Sequence, residues 1–227
     1  MAQDLTVIYL TASQISQKFA EFQRRTLMEA IGETPLISVS REPLQFGDIQ
    51  LLDTEPRSLS NIYLQMLRAA KIATTPYIAT AEDDTLYHRY HFEFHRPKSD
   101  IFAYDQNRFA LFTWGEPMYH WRNRKSNCSL IAPRELLIEA LEERFAKWPN
   151  GTPHDITGEV GRNMVERNLG ITIRKSEEVF CKVSLIQVNH EAASEERQRN
   201  HRKSYGPIRA YDVPHWGRAE DLLKKIL

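Results

Sequence analysis

The stretch NIYLQMLRAAKIATTPYIATAEDD, residues 61–84, decides the fold class. Ile62, Tyr63, Met66, Leu67 and Ala70, with Leu59 just ahead, recur at helical spacing and predict one buried stripe. Ser58 or Ser60 is placed to cap that helix. Residues 74–80, TTPYIAT, switch to a short β-rich run, which predicts a strand. Helix feeding into buried strand is the repeating unit of α/β folds. Three carboxylates, Glu82, Asp83 and Asp84, follow at that strand's carboxyl end, the edge where open α/β sheets bind ligands.

The same logic extends toward the N terminus. LTVIYLT at 5–11 is apolar on both alternating faces and predicts a strand covered on both sides. Ile15, Phe19, Phe22, Leu27 and Ala30 follow as a helical stripe, with Ser13 as its candidate cap. Gly32 and Pro35 end it, and LISVS at 36–40 supplies a second strand. Toward the C terminus, FAY at 102–104 and RFALFTW at 108–114 flank DQN, which predicts a hairpin of antiparallel strands added to a parallel sheet. Residues 115–129 read as a polar loop. Pro133 is expected as the first residue of a helix whose buried face is Leu137, Leu141, Phe145 and Trp148. Residues 158–170 predict a further helix, with Val160, Met164 and Val165 inward and Gly170 just past its end. VFCKVSLIQV at 179–188 reads as one long strand ending at Asn189 and His190, and AEDLLKKIL as a terminal helix. The expectation is an α/β protein, a Rossmann-like mixed sheet flanked by helices.

Composition narrows the function. The 227 residues carry 30 basic and 30 acidic side chains, for a net charge of zero, with 41% hydrophobic residues. That balance excludes a wholly disordered chain and argues against holding nucleic acid by bulk charge alone. Two cysteines, Cys128 and Cys181, exclude a disulfide scaffold and suit a reducing, cytoplasmic setting. No run approaches the roughly 18 apolar residues of a membrane span. The opening MAQDLTVIYLTAS has an acid ahead of its apolar run and does not read as a signal peptide. No Walker pattern, dinucleotide glycine fingerprint or Ser–His–Asp arrangement is present.

Adjacent carboxylates repel unless a proton or a cation relieves them, and Mg²⁺ and Mn²⁺ are hard ions that favour oxygen ligands. Glu82, Asp83 and Asp84 are therefore candidate ligands for such an ion. His88, His91 and His95 lack any zinc-motif spacing and read as structural. WRNRKSN at 121–127 joins an aromatic to three basic residues; Trp121, Arg122 and Arg124 are candidates for an acceptor-side wall. Arg197, Arg199, Arg202, Lys203 and Arg209 can add a local basic groove.

The strand VIYLTAS, the helix and strand NIYLQMLRAAKIATTPYIAT and the following EDD together resemble the nucleotide-sugar-binding half of the GT-A glycosyltransferases, the group marked by a variant aspartate-any-aspartate motif. The matching positions are 60–73, 75–80 and 82–84, and the resemblance spans about residues 5–190. It implies one GT-A-like domain over 1–227: about 1–100 binding the donor, 101–190 facing the acceptor, and 191–227 an extension or closing segment. It implies Mn²⁺ or Mg²⁺ held by Asp84, with Glu82 or Asp83 contributing, and a late histidine ligand, His190, with His215 as its rival. Thr11 and Ser13 take the nucleotide-contacting place after the first strand, Arg41 and Arg57 are candidates for base or phosphate, and Asp83 lies on the same donor side. Asp48 and Asp53 are the acids near the second strand, where the family places a base-contacting aspartate. Glu159 and Asp155 stand where an inverting member presents its catalytic base, with Glu159 preferred. The implied reaction moves a sugar from a nucleotide-sugar donor to an acceptor hydroxyl. The acceptor classes are a hydroxymethylated pyrimidine of DNA, as for related viral enzymes working in host cytoplasm, or a saccharide or other hydroxyl. Nucleotidyl transfer, and a nonenzymatic nucleic-acid- or protein-binding module, are the other readings; the former is disfavoured because no glycine- and basic-rich loop follows the first strand.

Overall fold

Four parallel strands carry the first part of the chain: β1 (Leu5–Thr11), β2 (Leu36–Ser40), β3 (Ile49–Leu52) and β4 (Tyr77–Glu82), in the spatial order β4-β1-β2-β3. The computed structural model describes residues 4–190 and 206–227. β6 (Ile101–Asp105), β9 (Leu130–Pro133) and β10 (Lys175–Val179) extend this sheet to seven strands, and β9 pairs antiparallel with both β4 and β6. A second sheet orders β12-β8-β7-β11-β5 from β5 (Thr85–Leu86), β7 (Arg108–Phe112), β8 (Tyr119–Trp121), β11 (Leu185–Asn189) and β12 (Arg209–Ala210). A small ribbon of β13 (Asp212–Val213) and β14 (Gly217–Arg218) precedes the last helix. The mixed α/β sheet flanked by helices is the class the sequence predicts.

Alternation along β1 explains the layering. Ile8 and Leu10 face a core built with Tyr63, Met66, Leu67 and Ala70 of α2 (Asn61–Ile72) and Leu137 and Leu141 of α4 (Arg134–Lys147). Leu5, Val7 and Tyr9 face the other way, onto Leu27 and Ile31 of α1 (Gln17–Ile31) and Phe92 of α3 (Arg89–Glu93). Phe19 of α1 and Leu222, Leu223 and Ile226 of α6 (Ala219–Ile226) cover Leu111, Ile186 and Val188 of the second sheet. Ser16, not Ser13, caps α1, accepting a bond from the Phe19 N–H at 3.3 Å. Among the described residues no helix is long and apolar enough to cross a membrane.

Several expectations are corrected. The 102–104 and 108–114 runs are not a hairpin: β6 belongs to the first sheet and β7 to the second, so DQN carries the chain between sheets. The run 179–188 divides in the same manner, β10 ending at Val179 and β11 starting at Leu185. Sequence alone shows two strands and a turn in the first case and one continuous strand in the second, because the change of sheet is set by long-range pairing. Residues 115–129 are not wholly loop, because β8 pairs with β7. Pro133 closes β9, and α4 begins one residue later. The 158–170 helix is shorter, α5 (Asn163–Leu169), and Met164 is 72% exposed on it rather than inward.

Asp53, just after β3, shows how the parallel edge is tied. Its buried carboxylate accepts from Asn61 Nδ2 and Gln65 Nε2 of α2, each at 2.7 Å, and meets Arg41 at 3.4 Å and Arg68 at 3.3 Å. Removing it strands two buried amides and two guanidiniums. We expect Asp53→Ala to lower unfolding free energy by about 2–3 kcal/mol, read as a fall in the urea midpoint at unchanged slope.

Candidate functional site

β4 ends at Glu82 and β5 begins at Thr85, so Asp83 and Asp84 occupy the passage from one sheet to the other. Each sheet grips that passage. The Asp83 N–H donates to the Leu10 carbonyl at 3.2 Å, and the Asp84 carbonyl accepts from the Val188 N–H at 2.7 Å. The buried Gln23 amide of α1 donates to the carbonyls of Glu82 at 3.3 Å and Thr85 at 3.0 Å. Tyr87 Oη accepts from the Glu82 N–H at 3.0 Å and donates to the Cys128 carbonyl at 2.9 Å.

The side chains are equally placed. Thr11 Oγ1, at the carboxyl end of β1, donates to Asp83 Oδ2. It also accepts from the Ser13 N–H at 3.0 Å, in a turn where Ser13 takes φ of 54°. Such a backbone is uncommon for a residue with a Cβ and marks a tightly specified loop. Asp84 accepts from Thr85 Oγ1 at 2.8 Å and from Gln187 Nε2 at 3.4 Å. Gln187 in turn accepts from Arg108 at its Oε1. Arg108 is fully buried and also donates to the Arg124 carbonyl at 3.0 Å.

Charge is concentrated here in both signs. The three carboxylates keep some solvent access but are packed round by protein. Burial first, and then mutual repulsion, lifts Glu82 well above the usual carboxylate range and Asp83 to about 7. Burial lifts Asp84 as well, against the hydrogen bond from Thr85 and the pull of His190. His190 is pushed down by burial, with Asp84 opposing. On the other side, burial and then the neighbouring charges of Arg124 and Arg108 push Arg122 down to about 10. Burial and Arg108 likewise hold Arg124 below the ordinary guanidinium range. Acids that resist ionising are groups that a cation would relieve.

The structure brings Thr11, Glu82, Asp83, Asp84 and His190 together around this passage, with Arg122 and Arg124 beside Arg108. Glu159 joins them electrostatically, raising Glu82, while its own carboxylate accepts from Arg162 at 2.7 Å. Trp121 lies on β8 with its indole N–H on the Gln106 carbonyl at 3.2 Å. Other predicted residues stand apart. The Asp155 side chain is wholly exposed beside His154. Arg57 is exposed, and Arg41 donates to the Glu55 carbonyl at 2.7 Å besides meeting Asp53. Asp53 and Asp48 are spent on the fold, the latter accepting from the Leu36 N–H. His215, at φ of 76°, packs edge-on against His88 with ring centres 4.5 Å apart. His91 pairs with buried Asp105 and His95 with Glu177, so the histidines of 88–95 serve separate structural contacts. Arg209 lies exposed on β12, whereas Arg197, Arg199, Arg202 and Lys203 lie outside the described residues.

Sequence reasoning passed over Arg108, Gln187, Gln23 and Tyr87. Arg108 and Gln187 sit in strand runs that look like ordinary apolar β-structure with a polar interruption. Their only sequence signal is a charged or amide residue where the pattern calls for core.

A divalent cation fits this site by the chemistry of its donors, carboxylate oxygens and an imidazole, and by the raised protonation of the acids. Among the described residues no group of three or more His, Cys, Asp and Glu is gathered as a formed metal shell. Asp83 and Asp84 direct oxygens to Thr11, Thr85 and Gln187 instead.

No protein-family model matches the chain, and no curated protein matches it. Solved structures do match. A nucleotidyl transferase from Methanothermobacter thermautotroptrophicus is 13% identical, with a TM-score of 0.48 over 85% of this chain and 94% of that one. A mannosyltransferase from Pyrobaculum calidifontis, in complex with GDP-Man and Mn²⁺, is 13% identical, with a TM-score of 0.45 over 86% and 58%. A glycosyltransferase involved in glycosylation of the major capsid of PBCV-1 is 11% identical, with a TM-score of 0.46 over 86% and 96%. Likeness at this level assigns no activity.

The acids give a pH signature. A carboxyl whose folded pKa is raised holds its proton better folded than unfolded, so its stabilising contribution is complete below about pH 4 and lost as pH rises through about 7. We expect the metal-free protein to lose stability between those limits, and Asp83→Asn to regain about 1–2 kcal/mol at pH 8. Guanidinium titrations at pH 5 and pH 8 measure both.

Proposed function

We propose that the protein transfers a sugar from a nucleotide-sugar donor to an acceptor hydroxyl, with Mn²⁺ or Mg²⁺ as cofactor. The observation that supports this most is the placing of the acids 82–84 at the carboxyl edge of parallel strands, with the buried Arg108 guanidinium joined to Asp84 through Gln187. A nucleoside diphosphate with its cation brings the charge that would relieve these acids. This is also what the GT-A resemblance leads one to expect.

Asp84 and Asp83 would hold the cation, with His190 and Glu82 next to them. When bound, a divalent cation there neutralises charge building on the departing diphosphate. Thr11 holds Asp83, and Thr85 and Gln187 hold Asp84, so both carboxylates keep a set position at the crossing. Arg122 and Arg124 add fixed positive charge toward the leaving group. The turn after β1, through Ser13, offers backbone groups to the nucleotide, and Arg41 and Arg57 flank the far side of the parallel edge. Trp121 offers a face to the acceptor. Glu159, oriented by Arg162, takes the proton of the attacking hydroxyl. Asp155 is too exposed for that task. Transfer to phosphorus is disfavoured, because Ala12–Ser16 after β1 contains neither glycine nor a basic residue.

The test is release of UDP or GDP from a panel of UDP- and GDP-sugars with Mn²⁺ or Mg²⁺, using hydroxymethylcytosine DNA and a saccharide panel as acceptors, with adducts identified by mass. Sugar-bearing product is expected; pyrophosphate in its place means nucleotidyl transfer, and binding without turnover means a nonenzymatic module. We expect Asp84→Asn to cut kcat/KM by about a hundredfold. Glu159→Gln is expected to cut kcat by about 10²-fold or more, with Asp155→Asn near wild type. Loss on Asp155→Asn with Glu159→Gln intact would reassign the base.

A further inference from the structure

Loops beside active sites are commonly the loose part of a fold, yet residues 158–161 are fastened from several sides. The Gly158 carbonyl accepts from Arg144 of α4 at 3.0 Å, and the Val160 carbonyl accepts from Tyr104 of β6 at 2.6 Å. One residue further on, the Gly161 N–H donates to Glu166 of α5 at 2.7 Å, and its carbonyl accepts from Ser176 of β10. Gly161 itself takes φ of 70°, and a Cβ there would meet Phe102 at 2.8 Å.

Arg144 and Tyr104 are both fully buried. Arg144 lies over the Tyr63 ring at 4.4 Å, and no carboxylate forms an ion pair with it among the described residues. Burying a guanidinium is costly when an apolar side chain would fill the space more cheaply. The carbonyls these two donors hold belong to the residues immediately before and after Glu159. The carboxylate between them is the one that reaches electrostatically toward Glu82 and Arg124.

We propose that Arg144 and Tyr104 are positioning residues, a buried clamp that sets Glu159 against the acceptor hydroxyl. This rests on the reading of Glu159 as the base. Arg162 orients the carboxylate from outside, while the clamp fixes its backbone from within. A base displaced by about 1 Å loses on the order of tenfold to a hundredfold in rate.

Donor hydrolysis tests this without knowledge of the acceptor, because water stands in for the acceptor hydroxyl. UDP or GDP release is measured with Mn²⁺ and the donor sugar that turns over fastest. Tyr104→Phe deletes a single hydroxyl, and Arg144→Lys keeps the charge while losing the stacked planar fork, so both suit a folded comparison. Each is expected to lower kcat about tenfold with donor KM unchanged within twofold. In a Glu159→Gln background, Tyr104→Phe is expected to cause no further loss, since the clamp acts only through that carboxylate. A strap serving only the fold would lower activity equally in both backgrounds, and that result overturns the proposal. So does unchanged kcat in Tyr104→Phe alongside a crippled Glu159→Gln, which leaves the base reading standing. Full turnover in Glu159→Gln removes the base reading itself, and the clamp with it.

Discussion

The chain has to leave one sheet and enter another at residues 82–85 while staying packed on both sides. Backbone groups in such a passage lose their ladder partners and cannot all turn to water. Leu10 and Val188 from the adjoining strands, Gln23 from α1 and Tyr87 from beyond β5 supply the missing partners. The same satisfaction of polar groups recurs at the neighbouring crossing, where Asp105 accepts from the Asn107 and Cys181 N–H groups and Asn107 bonds to Cys181 and Ser184. Side chains standing in these crossings inherit a rigid backbone, and the acids at 83 and 84 are among them.

Rigidity alone would make an acidic turn. The site gains its chemical character because the second sheet contributes cations to the same place. Arg108 opens β7 at the crossing after β6, and Arg122 and Arg124 follow β8, whose neighbour is β7. Arg108 of the second sheet is therefore set beside Glu82 and Asp84 of the crossing from the first, with Arg122 and Arg124 next to Arg108. Arg108 is tied to Asp84 through Gln187, which accepts from Arg108 and donates to Asp84 at 3.4 Å, so the cation of one sheet and the acid of the other are held in fixed relation.

Much of this was legible beforehand. The helix stripe of α2 and the alternation of β1 define which faces are buried, and those assignments follow from period and polarity alone. Glu82, Asp83 and Asp84 could be placed at a strand's carboxyl end because the run before them is short, apolar and ends abruptly. Misreadings gather where local pattern and long-range pairing part company. FAYDQNRFALF has every mark of a hairpin, but β6 finds β9 and β10 while β7 finds β8 and β11. Local propensity sees two strands and a turn in either case. Spacing places Met164 inward on a helix begun at residue 158, whereas α5 starts only at Asn163.

The sequence by itself determined the elements and their buried faces, since these depend on periods of two and 3.6 residues within short windows. It also located the acids, because their position relative to a strand end is a local fact. Tertiary structure alone decided which sheet each strand joined, and so brought buried Arg108 and Gln187 to Asp84 and the fastened Glu159 into the field of Glu82. Those meetings join residues as far apart as 84 and 187, held by pairings between strands that no local window contains.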